Sequence, residues 1–389
     1  MAKRHGVGKS ARSAVARIEE IVLASSGVDA FELVLALAAA RLFAEGAAGA
    51  SDGGAAHGAR AIRARVAQTR KAWRWVELPA ALDVPDATLE AVWDLLGGAL
   101  AKAARGGMGE VLDAVFEELV TRVGKGEKGQ FFTPRHVVDL AVGALALRRG
   151  EHVIDPACGS GAFLTHARAR ARGEVTTWGC DVDARAVRVA KLLAVAAGES
   201  AETRVRADAL GPSPPWPKRV DAILTNPPFA GDVARAGFEL GRLVRRAERD
   251  AFFLERCVTL LRPGGRLAIV LPHGKVGAPA WAPLRAWLVE RARVFAVVSL
   301  PKETFLPHTS QRTVLVLAKK RARGEKANAG EKLLFVASER AGKDAAGEPI
   351  FRAGAAASLG HRALDHDLDG VGGVGARLSE FLEAEGFGA

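Results

Sequence analysis

An α/β fold is predicted for residues 126–340, between a helical accessory or docking domain at 1–125 and a tail at 341–389 that ends in a helix. Apolar residues recur at helical spacing up to about Val123, and the pattern changes from Gly129 onward. There, short β-branched runs alternate with helical segments, which indicates βαβ units, a mostly parallel sheet and helices on both of its faces. The predicted strands are 152–154, 175–180, 220–224, 266–271, 294–299 and 313–318. The last two are close in sequence and are predicted to form an antiparallel terminal hairpin.

Composition and charge limit the class of partner. The 389 residues include 55 Lys+Arg against 44 Asp+Glu, and the net charge of +11 favours a polyanion, nucleic acid before a membrane surface. No apolar stretch is long enough to span a bilayer, so no membrane contact is expected. Three cysteines without a C-x-x-C pair are typical of a reducing compartment, which predicts a cytoplasmic protein. Two basic runs, 242–249 and 319–323, could contact phosphates or be solvated charged faces.

A glycine-containing turn follows the first predicted strand, in the sequence V-I-D-P-A-C-G-S-G-A-F-L at 153–164. Gly159, Ser160 and Gly161 let the backbone turn tightly and approach a ligand, although such a turn alone is a weak signal. A dinucleotide site needs a small residue where Leu164 stands, so a pyrophosphate fits poorly here. Asp155 precedes the glycines and suits an ammonium group better than a phosphate.

Two further acids follow successive predicted strands. Asp181 lies twenty residues beyond Gly161, where a carboxylate can accept hydrogen bonds from both hydroxyls of a ribose. Asp208 lies at a further candidate strand end, Ala207-Asp208-Ala209, and could accept from an adenine amino group. Any one of these acids alone is more often a helix N-cap or a solvated loop residue. Together with Asp155 they favour a ligand that combines adenosine with a cationic amino acid, namely S-adenosylmethionine.

The sequence N-P-P-F at 226–229 ends another predicted strand. Pro227 and Pro228 stiffen the loop, because each ring fixes its own φ and restricts the residue before it. The side-chain carbonyl of Asn226 and the backbone carbonyl of Pro227 can then present two acceptors to an exocyclic amino group, with Phe229 stacked on the ring that carries it. The alternative is a structural Pro-Pro turn with Phe229 in the core. No metal site is predicted.

In this order, the motifs resemble those of N6-adenine DNA methyltransferases, in particular the modification subunits of type I restriction-modification systems. The lead-in G-E-K-G-Q-F-F-T-P-R-H-V-V at 126–138 and L-R-P-G-G-R-L-A-I-V-L-P at 261–272 match that subfamily as well. The resemblance implies a Rossmann-like methyltransferase domain that flips an adenine out of DNA. Asp181 stands where the family usually has Glu. The implied catalytic residues are Asn226, Pro227, Pro228 and Phe229. The implied cofactor residues are Phe132, Thr133, Pro134, Asp155, Ala157, Gly159, Ser160, Gly161, Asp181 and Asp208.

The same resemblance implies double-stranded DNA as substrate and a separate DNA-specificity subunit as partner, with a restriction subunit and a homo-oligomer left open. Other methyltransferases with N-P-P-F or N-P-P-Y act on a glutamine of release factors or a guanine of ribosomal RNA, and these stay alternatives. A catalytically silent DNA-binding or assembly subunit is another. An NAD oxidoreductase is disfavoured by Leu164.

Overall fold

The computed structural model describes residues 15–18, 20–22, 29–47, 58–101, 108–123, 133–211, 216–229, 231, 237–245, 247–353 and 364–387. The chain divides into two compact units. The first comprises Met1–Lys128, Arg188–Glu202 and Gly354–Ala363, and the second comprises Gly129–Val187, Thr203–Ala353 and Leu364–Ala389. The three-part division expected from the sequence stays a prediction. Within it, the segment Leu364–Ala389 is part of the second unit.

The first unit is helical. Its helices include α1 (Ala30–Ala47), α2 (Ala59–Ala72), α3 (Asp86–Ala101) and α4 (Met108–Val123). Helix α1 is apolar on every side, and each residue from 33 to 40 is buried, as expected for a helix at the centre of a bundle. The Asp29 carboxylate starts this helix by accepting a hydrogen bond from the Phe31 backbone N–H (2.9 Å). None of the helices in the described ranges combines the length and the apolar character needed to cross a bilayer.

The second unit is built on one eight-stranded sheet. Its strands are β1 (His152–Asp155), β2 (Thr176–Asp181), β3 (Arg204–Arg206), β4 (Ala222–Thr225), β5 (Arg266–Pro272), β6 (Ala292–Leu300), β7 (Thr313–Lys320) and β8 (Leu334–Ala337). The helices that lie wholly in this unit are α5 (Arg135–Ala144), α6 (Ala162–Arg170), α8 (Leu240–Leu243), α9 (Arg249–Leu260), α10 (His273–Gly277), α11 (Ala282–Arg291) and α12 (Val374–Ala384). Helix α7 (Ala184–Ala196) begins in this unit, and its residues from Arg188 onward are assigned to the first unit. The predicted terminal helix is α12.

The strand order is β3-β2-β1-β4-β5-β7-β6-β8. Every neighbouring pair is parallel except those that involve β7, which runs antiparallel to both β5 and β6. The predicted parallel sheet and the antiparallel β6–β7 pair are therefore confirmed. Strand β7 inserts between β5 and β6, and β8 adds a parallel strand at the far edge.

Helices cover both faces of the sheet. Side chains alternate between the faces of a strand, so Ile154 and Trp178 share one face, where Ile154 packs with Leu254 and Val258 of α9. Gly179 points to the opposite face, and a Cβ placed there would lie 2.7 Å from a methyl group of Leu164 in α6. The chain reverses its winding between β1 and β4, and ligands of such sheets bind at the carboxyl ends of the strands beside that reversal.

Candidate active site

Asp155 is the last residue of β1 and the most buried acid of the site, with 1% of its surface exposed. One carboxylate oxygen, Oδ1, accepts hydrogen bonds from the Thr225 hydroxyl (2.7 Å) and from the Ala157 backbone N–H (3.0 Å). Burial raises the pKa of Asp155 to about 7, although both hydrogen bonds act to lower it. The carboxyl group is therefore poised to change protonation near neutral pH and to gain from a cation placed beside it.

The glycine turn connects β1 to α6 and contacts the end of β2. Gly159 and Gly161 have φ angles of +51° and +89°, in the left-handed region that favours glycine. A Cβ at Gly159 would meet no atom within 4 Å, so open space lies over this residue. Asp181 holds the turn by accepting from the Gly159 backbone N–H through Oδ2 (3.0 Å) and from the Asp183 N–H through Oδ1 (3.0 Å). Burial raises the pKa of Asp181, and each oxygen keeps a second lone pair for another donor.

The structure describes most of the remaining predicted cofactor residues. Ser160 is buried within the turn, and Pro134 directly precedes α5 and is buried. Asp208 follows β3, is exposed, and accepts a hydrogen bond from the Leu210 N–H (2.9 Å), which is the local role of a loop acid. Phe132 lies outside the described residues.

Asn226 directly follows β4, and its side-chain amide is held from one side only. The Nδ2 atom donates a hydrogen bond to the hydroxyl oxygen of Thr133 (3.1 Å), which comes just before α5. The carbonyl oxygen Oδ1 is sealed from solvent and has no hydrogen-bond partner in the described part of the chain. A buried carbonyl without a donor lowers the stability of the folded state by about 1–3 kcal/mol. A hydrogen-bond donor from outside the protein would remove this cost.

The three residues after Asn226 are largely covered. Pro227 is buried and Pro228 is half-buried. Phe229 is only 6% exposed, and its side chain belongs to the buried apolar set. Stacking of this ring on a base therefore stays a prediction, because a ring face that is now covered would have to be uncovered.

Two residues of the site were missed by the sequence reasoning. The hydroxyl of Thr225, the buried last residue of β4, ties the Asn226 loop to Asp155. A polar residue at the end of an apolar strand, next to the key amide, was the available signal. Val182 follows Asp181 at the end of β2 and is 58% exposed. It offers an apolar surface to any ring held by the neighbouring acids.

Two side-chain hydrogen bonds connect the predicted cofactor residues with the Asn226 loop. Thr225 links β4 to the acid at the end of β1, and Thr133 links α5 to Asn226. A buried carboxyl group, a glycine turn with open space and an unsatisfied carbonyl oxygen are thus gathered beside the winding reversal of the sheet. Such a site can hold a cationic ligand and a hydrogen-bond donor close together.

The fold is that of the class I S-adenosylmethionine-dependent methyltransferases. A structure described as a putative member of that class, from Listeria monocytogenes, superposes with a TM-score of 0.58 at 17% identity, covering 85% of this chain and 93% of that one. The profile of the N-6 DNA methylase family matches residues 104–353, more than half of the sequence. The chain belongs to that family.

Two further relatives are described as the methylase or methyltransferase subunit of a type I restriction enzyme or restriction-modification system. The methylase subunit of the type I restriction enzyme EcoEI from Escherichia coli is 28% identical over 222 residues, which is 53% of this chain and 44% of that protein. This chain therefore spans less than half of that relative. The methyltransferase subunit of a type I restriction-modification system from Streptococcus thermophilus superposes with a TM-score of 0.61 at 18% identity, covering 85% and 87% of the two chains.

Proposed function

We propose that this chain transfers a methyl group from S-adenosylmethionine to N6 of an adenine flipped out of double-stranded DNA, as the modification subunit of a type I-like restriction-modification system. The observation that carries the proposal is the sealed, unpartnered Oδ1 of Asn226, since an exocyclic amino group supplies the donor that this oxygen lacks. Membership of the N-6 DNA methylase family and the similarity to type I methylase subunits support it.

The residues present fit the proposed cofactor. The Asp155 carboxyl would face the ammonium group of the methionine part. Burial raises the pKa of this carboxyl to about 7, and a cation beside it would lower that pKa again by favouring the ionised form. Asp181 would accept from the ribose hydroxyls, and Asp208 would accept from the adenine amino group. Thr133 and Pro134 would close over the methionine end. When bound, the cofactor would supply the methyl group to be transferred.

The protein's own contribution is position and fixed dipoles. Asn226 Oδ1 would accept one N–H of the adenine amino group, and the backbone carbonyl of Pro227 would accept the other. Two acceptors outside the ring plane weaken delocalisation of the nitrogen lone pair into the ring. No strong base is required, because the nitrogen becomes much more acidic once it is alkylated, and its proton can leave through the two acceptors to water.

Methylation in the cell tests the proposal. Deletion of the gene should remove N6-methyladenine from one sequence motif in methylation-aware sequencing of the genome, and reintroduction should restore it. An unchanged pattern would contradict the proposal. Calorimetry of the purified chain with S-adenosylmethionine separates an enzyme from a silent assembly subunit, which would take up no cofactor. Reading of the motif is proposed to reside in a separate specificity subunit, so strong site-specific methylation by the isolated chain would contradict that part.

Replacement of Thr133 by valine tests whether this residue orients the Asn226 amide. Valine has nearly the shape of threonine but cannot accept the hydrogen bond from Nδ2. Loss of one neutral hydrogen bond should lower kcat for methyl transfer by about 3–10-fold, a larger effect than the change in affinity for S-adenosylmethionine. Thr133→Ser keeps the hydroxyl and should retain most of the activity. A weakened cofactor affinity with unchanged kcat would instead place Thr133 in cofactor binding alone.

A further inference from the structure

A cavity lies at the amino-terminal edge of the sheet, opposite the edge that carries Asp155 and Asn226. It has a volume of about 190 Å³. It is lined by Arg148, Arg262, Gly264, Arg266, Lys319, Gly386 and Phe387. Arg266 begins β5, and the seven residues of that strand separate this cavity from the carboxyl edge by roughly 20 Å. The cavity is therefore distinct from the candidate active site.

Like charges face each other across the strands at this edge. In the register of the sheet, Arg266 of β5 is directly opposite Lys319 of β7, and Lys319 is directly opposite Arg293 of β6. Residues opposite each other project from the same face, and like charges in such positions destabilise a sheet. Three cations in one row across three strands thus cost stability unless an anion compensates them.

The carboxylates nearby do not balance these cations. Each of three carboxylates, Glu151, Asp221 and Glu385, forms at least one ion pair with a cation of this region. Five cations of the described residues form ion pairs with these three carboxylates, and Lys319 is a sixth cation beside them. The six cations are Arg219, Arg262, Arg266, Arg293, Lys319 and Lys332. Within the described ranges no carboxylate lies within ion-pair distance of Lys319, so a positive excess is left at the cavity.

Two guanidinium groups also keep a buried N–H without an acceptor. The Nε atoms of Arg266 and Arg293 are sealed from solvent and have no hydrogen-bond partner in the part of the chain that the structure describes. The residue Arg266 is more than nine-tenths buried and lines the cavity. A buried donor of a charged group left unsatisfied is costly, and Arg266 lines the cavity, so an anion bound there would offset part of that cost.

The walls of the cavity leave room for such an acceptor. Gly264 has a φ of +75°, and a Cβ there would lie 3.5 Å from an Arg262 guanidinium nitrogen and 3.9 Å from Lys319 Cε. Phe387 closes the other side, with its ring centre 4.6 Å from the Arg293 guanidinium carbon and 5.6 Å from the Lys319 ammonium. Arg293 is also paired with Glu385, whereas Lys319 lies near this ring without a carboxylate among the described residues, so its ammonium group stays available to an anion.

We propose that this cavity binds a phosphate group. Guanidinium groups match phosphate oxygens with pairs of charge-assisted hydrogen bonds, and a phosphate monoester carries close to two negative charges, which suits the positive excess. The phosphate can come from a free small anion or from a nucleic-acid backbone, and both present negatively charged non-bridging oxygens, although a backbone diester carries only one negative charge. The proposal concerns a site separate from methyl transfer and stands independently of it.

Thermal melting and calorimetry of the full chain with inorganic phosphate test the proposal. Phosphate should bind saturably and raise Tm above the value in chloride at equal ionic strength. Lys319→Gln removes an exposed cation that is not needed for any ion pair in the described residues, and it should weaken phosphate binding by about tenfold. Lys326→Gln, an exposed lysine in the loop between β7 and β8, is the matched control and should bind phosphate like the wild type.

A short double-stranded DNA distinguishes the two sources. If Lys319→Gln weakens phosphate binding and leaves DNA affinity unchanged, the site takes a free phosphate. If DNA affinity falls too and phosphate competes with DNA, the site takes a backbone phosphate. The proposal is overturned if phosphate stabilises no more than chloride, or if the Lys319 and Lys326 variants behave alike.

Discussion

Replacement of Asn226 by alanine is expected to reduce methyl transfer at least about 1,000-fold while S-adenosylmethionine still binds. The reason is that Oδ1 is the one sealed side-chain acceptor of the site without a partner in the described chain, and its removal leaves the target amino group without that fixed dipole. Loss of a single preorganised hydrogen-bonding group in an active site typically costs about 10²–10³ in kcat. Loss of the orienting contact with Thr133 adds to this. Labelled methyl transfer to DNA measures the effect.

Stability should change in the opposite direction to activity in this variant. An unsatisfied buried carbonyl costs about 1–3 kcal/mol, so Asn226→Ala should leave the free energy of unfolding unchanged or higher. Asn328→Ala removes the only other asparagine, which is exposed in the loop after β7, and should keep full activity. If Asn226→Ala lowers Tm by several degrees, its loss of activity would reflect unfolding, and the catalytic role of the amide would be unsupported.

The candidate site residues at the strand ends were predictable, because each is identified by the short stretch of sequence around it. Asp155, Asp181 and Asn226 each follow an apolar run, and parallel strands bring the carboxyl ends of such runs to one edge of a sheet. Position along each strand and strand direction were sufficient to gather them. The antiparallel pair formed by β6 and β7 was visible for the same reason, since a short connection joins the two runs.

The contacts that set the site's electrostatics were not predictable. Thr133 and Asn226 are 93 residues apart, and Thr225 and Asp155 are 70 residues apart, so neither hydrogen bond has a local sequence signature. The raised pKa of Asp155 depends on the burial of β1 between its neighbours, which no single residue encodes.

The burial of the Phe229 ring could not be predicted either, because the residues that cover it are brought there by the fold.

At the other edge of the sheet, the strand order was the feature that the sequence did not predict. The two basic runs were visible in the sequence, but the insertion of β7 between β5 and β6 was not. That insertion places Lys319 opposite both Arg266 and Arg293. The basic run that begins at Lys319 was compatible with a solvated face, and only the register converts part of it into a cavity wall.

Asp155→Asn is expected to weaken S-adenosylmethionine binding by about 10–100-fold, because a charge-assisted hydrogen bond to the cofactor's ammonium group is worth about 1.5–3 kcal/mol. Only the ionised carboxylate attracts that cation. With a pKa of about 7 in the free protein, the wild-type affinity should fall by about tenfold per pH unit below pH 7 and level off above it. Calorimetric titrations between about pH 6 and about pH 8, roughly one unit either side of that pKa, should show this slope in the wild type and its absence in the variant.

The same carboxyl group should make the free protein less stable as pH rises. Its folded pKa of about 7 lies above the unfolded value of 3.8, so the folded state binds more protons between these values. The stabilisation is fully present below about pH 4 and is lost as pH approaches 7, at about 1.4 kcal/mol per unit. Asp155→Asn keeps a neutral group of the same shape and should therefore raise Tm at pH 8 while it weakens cofactor binding. Asp344→Asn, at an exposed turn residue, controls for the loss of one negative charge and should change neither quantity. A lower Tm for Asp155→Asn at pH 8 would mean that the carboxylate stabilises the fold, and its assignment to the cofactor's cation would lose its physical basis.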